Sequence, residues 1–420
     1  MQILFVHQNF PAQFGHIASH LAQRAGWKCW FVSETPAGNA GGVEKIQYAK
    51  VGGATQQTHF CSRTFENAIA NCDGVFNALS NRPDVKPDLI VGHSGFGSTL
   101  FLRDLYPGVP IINLFEYFYR PRHPDSDMGH RKDLGWTLPE IYYRRARSRN
   151  AMILLDLDAC TTGYCPTEFQ LSTLPQEYRQ KLRVIFDGIE RTCYHGHDES
   201  LRPPVEARTA RQIAGVSVPA STRVVTYVSR GFESMRGFDL FMRSARLIAR
   251  QFPDVLFFIV GADRIAYGGD ETFLPEGVTF KQWVLSRDEY DLSRFCFVGN
   301  LPPKQLATLL ASSDLHIYLT VPFVLSWSMM DAMSCGAVVL GSDTPPVREM
   351  IRDGENGLLA NLFDVEEIAG KALGVLRDPA AFRPLGRAAE RMIAEQYSVE
   401  AVLPGMLRMY EEVAGTPCKV

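Results

Sequence analysis

The sequence predicts an α/β chain of two doubly wound, mainly parallel sheets that face each other across a cleft. Three observations carry that expectation. The chain has 420 residues, more than one hydrophobic core usually serves. Short, almost wholly apolar runs alternate with amphipathic stretches, as parallel strands covered by helices on both faces require. The alternation is interrupted once, by a polar, Pro-containing stretch after Glu190, and then starts afresh.

In the first half, QILFV (Gln2–Val6) is the opening strand and an amphipathic helix follows over Phe14–Arg24. CWFVS (Cys29–Ser33), DLIVG (Asp88–Gly92), PIINLF (Pro110–Phe115) and DACTT (Asp158–Thr162) are the further strands, and LRVIFDGIE (Leu182–Glu190) closes the half. Residues 191–210 have the composition of a linker. The second half opens with RVVTYVS (Arg223–Ser229) and a helix over Gly237–Arg250, then VLFFIVG (Val255–Gly261) and FCFVG (Phe295–Gly299). A helix over Pro303–Ser312, the strand LHIYLT (Leu315–Thr320), a helix near Ser326–Ser334 and the strand AVVLGS (Ala337–Ser342) complete it. The expected domains are 1–188 and 189–400, with a final helix in 401–420 packing back across the boundary.

A net charge of -3 argues against a nucleic-acid binder that works by neutralising phosphates. Nine scattered cysteines resemble reduced, intracellular usage more than a disulfide framework. Cys160 and Cys165 are spaced too widely for a CxxC pair, so no metal site is expected. The opening MQILFVHQ lacks a basic leader region and no stretch of 18 apolar residues occurs, so a cytoplasmic chain without a membrane anchor is expected.

Four stretches could carry chemistry. In YVSRGFESMRGFDLF (227–241) a strand ends at Ser229 and Arg230, Arg236 follows, and Gly237 opens a helix. Two guanidiniums at the carboxyl edge of a sheet outline a diphosphate clamp; the other reading pairs them with Glu233 and Asp239. In PFVLSWSMMDAMSCG (322–336) a helix starting near Ser326 aims the N–H groups of Ser326–Ser328 past the strand. Asp331 can accept two hydrogen bonds from a vicinal diol, or simply meet a nearby cation, while Met329, Met330 and Met333 suit a core.

HQNFPAQFGH (7–16) and GHSGFGS (92–98) both follow strands. Gly15, Gly95 and Gly97 permit close backbone approach to a ligand, although neither stretch is a GxGxxG fingerprint, and His93 is either catalytic or structural. In NLFEYFYRPRHPDSDMGHRKDLG (113–135), Glu116 and Tyr117 end a strand and lead into a long polar loop. Arg120, Arg122, Arg131 and Lys132, with Arg144, Arg145, Arg147 and Arg149, form a basic surface that is either simply solvated or a seat for an anionic acceptor or a membrane surface.

Together these stretches resemble the family 4 glycosyltransferases, which have the GT-B fold of two Rossmann-like domains and use nucleotide sugars. The match lies in the strand ending at Arg230, in Arg236-Gly237, and in DAMSCG where the family has an EAM-CG segment. The resemblance implies that Arg230 and Arg236 hold the donor diphosphate and that Asp331 replaces the family's second glutamate on the nucleotide ribose. Phe323 occupies the place of the first glutamate, and Ser326, Trp327 and Ser328 become the sugar contacts. Gly15, Ser229 and Asn300 complete the implied donor set; His93, Phe96, Glu116 and Tyr117 are the implied acceptor set. Arg230, Arg236, His93 and Glu116 are the implied catalytic residues.

Transfer with retention, from a UDP- or GDP-sugar and without a metal or other cofactor, to a hydroxyl of a glycan, lipid-linked or small-molecule acceptor is the implied reaction. Polysaccharide or glycoconjugate synthesis is the implied setting, with peripheral contact to the inner face of a membrane and no nucleic-acid partner. A nucleotide-sugar epimerase and an inactive sugar-nucleotide or glycan binder remain open beside it.

Overall fold

The computed structural model describes residues 1–95, 98–122, 131–196, 201 and 203–415. It divides the chain into two compact units. One comprises Met1–Gly129, Thr137–Gly188 and Val399–Val420; the other comprises His130–Trp136 and Ile189–Ser398.

The first unit is built on an eight-stranded sheet of β1 (Gln2–Val6), β2 (Lys28–Ser33), β3 (Gly38–Ala40), β4 (Val43–Gln47), β5 (Leu89–His93), β6 (Ile111–Leu114), β7 (Thr162–Cys165) and β8 (Leu182–Val184). The order is β3-β4-β2-β1-β5-β6-β7-β8, parallel except for the short β3, which pairs antiparallel with β4. Every residue of β5 and β6 is buried, which is why those segments read as unbroken apolar runs rather than alternating ones. The strand order reverses at β1, between β2 and β5, so the loops after β1 and β5 open at the switch point where such sheets take ligands. The helix Val399–Ala414 belongs to this unit: Met406, Met409 and Tyr410 share a core with Ile3, Phe5 and Phe31.

One strand is displaced from its predicted position. DACTT is not extended; Asp158 and Ala159 end the helix Asn150–Ala159, and the strand begins at Thr162. The apolar residues before it serve a helix, and a short apolar run does not distinguish the two.

The second unit opens with the hairpin β9 (Arg211–Ile213) and β10 (Val216–Val218). Its main sheet contains β11 (Arg223–Gly231), β12 (Val255–Ala262), β13 (Phe295–Gly299), β14 (Leu315–Tyr318), β15 (Val339–Ser342) and β16 (Leu358–Ala360). The order is β13-β12-β11-β14-β15-β16, with all pairs parallel. Here the order reverses between β11 and β14, so the segment after Gly231 and the segment after Tyr318 emerge side by side. This places the stretches 227–241 and 322–336 together.

The second unit includes one heptapeptide, 130–136, from within the predicted 1–188 domain. Arg131 is buried there against Asp239, and Trp136 stacks on Phe273 with ring centroids 4.7 Å apart. Among the described residues no helix is long and apolar enough to cross a membrane, and the eight described cysteines are free thiols.

Candidate functional site

In the second unit β11 leads into a 3₁₀ turn, Ser234–Arg236, and Gly237 reverses the chain with φ 61° before the helix Phe238–Gln251. A Cβ at Gly237 lies 2.6 Å from Leu319 Cβ, so glycine is required both by the left-handed backbone and by the neighbour. Gly237→Ala is expected to destabilise the second unit by about 2–4 kcal/mol, read as a lowered denaturation midpoint. The turn is gripped from several sides. Ser234 N–H and Oγ donate to Asp270, at 2.6 Å each; Glu233 Oε2 accepts the N–H groups of Ala266, Tyr267 and Gly268; and Tyr227 Oη donates to Arg236 O at 2.9 Å. Burial raises the Asp270 carboxyl to about 6.

This grip presents Arg236, which is 5 % exposed. Its Nη1 donates to Tyr318 Oη at 3.2 Å and Thr320 Oγ1 at 2.9 Å, and its guanidinium lies 5.3 and 5.5 Å from the ring centroids of Tyr267 and Phe323. Among the described residues no carboxylate pairs with it. The two acids that could have done so are engaged elsewhere: Glu233 on backbone amides and Asp239 on Arg131. Rings and hydroxyls orient the cation but leave its charge unneutralised. Arg230 is exposed, and its side chain makes no hydrogen bond or ion pair among the described residues. Ser229 is buried and its Oγ donates to Gly231 O at 2.8 Å, while Asn300 is exposed just beyond β13.

The segment after β14 ends in the helix Trp327–Ser334, capped by Ser326. The expectation that the amides of Ser326 and Ser328 point outward is corrected by their partners. Ser326 N–H donates to Tyr318 Oη at 2.9 Å, and Ser328 N–H donates to Ser326 Oγ at 3.3 Å. A capping serine satisfies the amides its helix leaves open, so these two serve the fold. Tyr318 Oη thereby accepts from both Arg236 and Ser326 and joins the stretches 227–241 and 322–336. Met329, Met330 and Met333 are fully buried. Asp331 is 9 % exposed, and its carboxyl has neither a hydrogen bond nor a cation among the described residues. Burial alone pushes it up to about 8.

Tyr267, Tyr318 and Thr320 were not singled out in the sequence. Tyr318 and Thr320 lie two apart in an extended run, hence on one face, a usable signal; Tyr267 sits in a loop with no periodicity.

In the first unit the adjacent strands β1, β5 and β6 deliver His7, His93 and Glu116 to one edge of the sheet. His93 Nε2 lies 3.3 Å from Glu116 Oε2, the His93 and His7 ring centroids are 5.1 Å apart, and Gln13 Nε2 donates to Glu116 Oε1 at 2.7 Å. Burial by itself would lower His93, but the Glu116 carboxylate and the Ser94 carbonyl outweigh it and raise the imidazole above its ordinary value. Burial likewise opposes ionisation of Glu116, yet His93 and Gln13 hold it below the usual range. His7 and Gln13 were missed as site residues, although both stand in the quoted stretch after β1.

Ser94 Oγ and Gly95 N–H both donate to the buried Asp156, which fixes the loop after β5. Tyr117 is buried, its ring 5.3 Å from that of Tyr119. Gly15 has a packing reason, since a Cβ there would lie 2.1 Å from Pro11 Cβ. Phe96 and Gly97 lie outside the described residues.

The basic surface is smaller than expected. Arg131 is 8 % exposed and paired within the second unit, because Asp133 and Asp239 compensate its burial. The side chain of Lys132 lies outside the description. Arg145 lies over Phe60 and Arg149 over Tyr119, Arg122 pairs with Glu140, and Arg120 donates to Leu174 O. Arg144 and Arg147 remain exposed. A hollow of about 470 Å³ is lined by Phe118, Tyr119, Arg120, Arg122, Arg147 and Leu154, among others.

Residues 25–193 match the description "Glycosyl transferase family 4 group", and residues 210–397 match "Glycosyl transferases group 1". Over 210 residues the chain is 27% identical to a phosphatidyl-myo-inositol mannosyltransferase of Mycolicibacterium smegmatis, covering 48% of either protein. The chain thus spans about half the length of that curated relative. The fold is similar to sucrose-phosphate synthase from Thermosynechococcus elongatus, with TM-score 0.71 at 16% identity over 98% of both chains. It is also similar to HepE of Anabaena solved with UDP-glucose, with TM-score 0.67 at 14% identity over 98% of this chain and 100% of that one.

Proposed function

Since the chain belongs to the family 4 glycosyltransferases of GT-B fold, we propose that it moves a sugar from a nucleoside-diphosphate sugar to an acceptor hydroxyl, with retention of anomeric configuration. One observation carries the reading: Arg236 is buried, oriented by two hydroxyls and two rings, and has no carboxylate partner among the described residues. A desolvated guanidinium without an anion is costly, and a diphosphate supplies the missing charge in the bidentate geometry that the side chain favours. The solved HepE complex with UDP-glucose supports a nucleotide-sugar ligand for this arrangement.

In the reaction the bond between the anomeric carbon and the β-phosphate oxygen breaks as the acceptor oxygen approaches the same face. Charge accumulates on the departing diphosphate, and the acceptor proton passes to the phosphate oxygen that leaves. Arg236, with the exposed Arg230 six positions earlier, stabilises that developing charge. Asp331, whose carboxyl has no partner among the described residues, accepts from the ribose diol. Phe323, lying beside Arg236, makes one wall of the sugar pocket apolar, and Ser326 and Trp327 supply contacts.

On the first unit, the His93–Glu116 pair holds a polar group of the acceptor or of the reacting sugar. The hollow beside Arg120 and Arg147, with Leu154 and Leu155 each 40% exposed, supports an acceptor that bears an anionic group, including one carried on a lipid. Glycan or glycoconjugate assembly is the setting that fits such an acceptor.

The test is a thermal-shift series with UDP, GDP and their hexose conjugates. The matching nucleotide is expected to stabilise the protein by about 2–3 kcal/mol at a hundredfold excess over Kd. Product analysis by proton NMR then reads the anomeric configuration. A protein indifferent to all nucleotides overturns the assignment, and an inverted product overturns the stereochemistry alone.

A further inference from the structure

The turn that carries Arg236 is completed by a residue from far upstream in the chain. Arg131 Nη1 donates to Ser234 O at 2.6 Å and to Asp239 Oδ1 at 2.8 Å, and Nη2 donates to Asp239 Oδ2 at 2.5 Å. Its Nε and Nη2 also reach Asp133 at 3.0 Å each. Ser234, two residues before Arg236, is therefore held at its carbonyl by a buried guanidinium and at its amide and hydroxyl by the buried Asp270. Asp239, in the first turn of the helix after Gly237, is fixed by the same guanidinium. The heptapeptide that brings Arg131 has a separate anchor: Trp136 lies against Phe273, Trp283 and Phe280, and Phe280 in turn lies 6.3 Å from Phe238.

We propose that Arg131 is a positioning residue for the nucleotide diphosphate, acting through the Ser234 carbonyl and Asp239 to set the direction of Arg236. This rests on the donor reading above. Arg131 comes from the stretch between β6 and β7, downstream of Glu116, so the acceptor side of the sequence supplies part of the donor turn. Five donor hydrogens in a rigid fork suit that role and an ammonium does not.

The test uses the full chain with Arg131→Lys, Arg131→Ala and, as a control on the other anchor, Trp136→Leu. Hydrogen exchange over 233–241 and calorimetric Kd values for UDP and GDP are measured. Arg131→Lys retains the charge opposite Asp239 and is expected to fold; it is expected to speed exchange in 233–238 and to weaken the bound nucleotide by about tenfold, and Arg131→Ala by more, the scale of a small misplacement of a binding group. Millimolar guanidinium is expected to restore part of the affinity in Arg131→Ala, a recovery that a merely stabilising residue would not show. Trp136→Leu is expected to lower the melting temperature while leaving Kd within about twofold, since the Arg131 fork stays in place. Unchanged exchange in Arg131→Lys, or faster exchange with unchanged Kd, overturns the proposal. If the wild type binds neither nucleotide, the donor reading itself falls and takes the role of Arg131 in donor binding with it; the exchange data then decide separately whether Arg131 holds the turn.

Discussion

Arg236→Ala is expected to abolish measurable nucleoside diphosphate binding and to lower turnover by about two to three orders of magnitude, the loss seen when one preorganised donor to a developing oxyanion is removed. The variant should still fold. The hydroxyls that orient the guanidinium have other work: Tyr318 Oη keeps Ser326 N–H, and Thr320 Oγ1 donates to Val321 O. Removing an uncompensated buried cation also lifts a desolvation cost, so melting temperature should stay near that of the wild type while calorimetry loses the nucleotide signal. Arg236→Lys should recover little, because an ammonium neither forks onto a diphosphate nor lies against the Tyr267 and Phe323 rings as a planar guanidinium does. Wild-type turnover in Arg236→Ala would refute the clamp.

Asp331→Asn is expected to separate stability from binding. Burial raises the carboxyl to about 8 from the ordinary aspartate value of about 4, so between those values the folded state holds a proton that the unfolded state has released. Stability contributed at this position therefore falls as pH rises from about 4 to 8 and is level above and below that window. Asparagine removes the dependence and should stabilise the protein by an amount on the order of a few kcal/mol at pH 7. The same substitution replaces one carboxylate oxygen with an amide donor and removes the charge, so on the proposed reading only one oxygen is left to accept from the ribose diol. Wild-type affinity for the nucleotide should rise as pH passes about 8 and the carboxylate forms, whereas the variant should bind with a flat pH profile and about ten- to hundredfold more weakly at high pH. Melting curves and Kd values from pH 5.5 to 9 check both halves of the prediction.

Much of the second unit was legible because its strands are buried on both faces and its motifs follow them directly. The strand that ends near Arg230, the helix after Gly237 and the helix that starts near Ser326 all appear close to where the residues alone place them. DACTT misled because Asp158 and Ala159 carry an apolar run into the end of a helix. The direction of the Ser326 amide was illegible for another reason: its partner, Tyr318 Oη, depends on how the chain turns between Leu319 and Leu325. The same holds for Arg131. Eight arginines and lysines in one region read as a single basic face, and only the tertiary contacts show that Asp239, 108 positions away, has withdrawn one of them into the interior.

The final helix, Val399–Ala414, places Met406 and Tyr410 in the core that holds Phe5. With 130–136 assigned to the other unit, neither unit corresponds to one uninterrupted stretch of gene. A chimera that joins the first 188 residues of this protein to the second half of a relative inherits a foreign last helix against Phe5 and Phe31 and a foreign Asp239 facing Arg131. Exchange of donor specificity between relatives by recombination at Gly188 is therefore expected to succeed only when these two small segments travel with the body they pack on. Natural shuffling in this lineage should accordingly favour altered loops over exchanged halves.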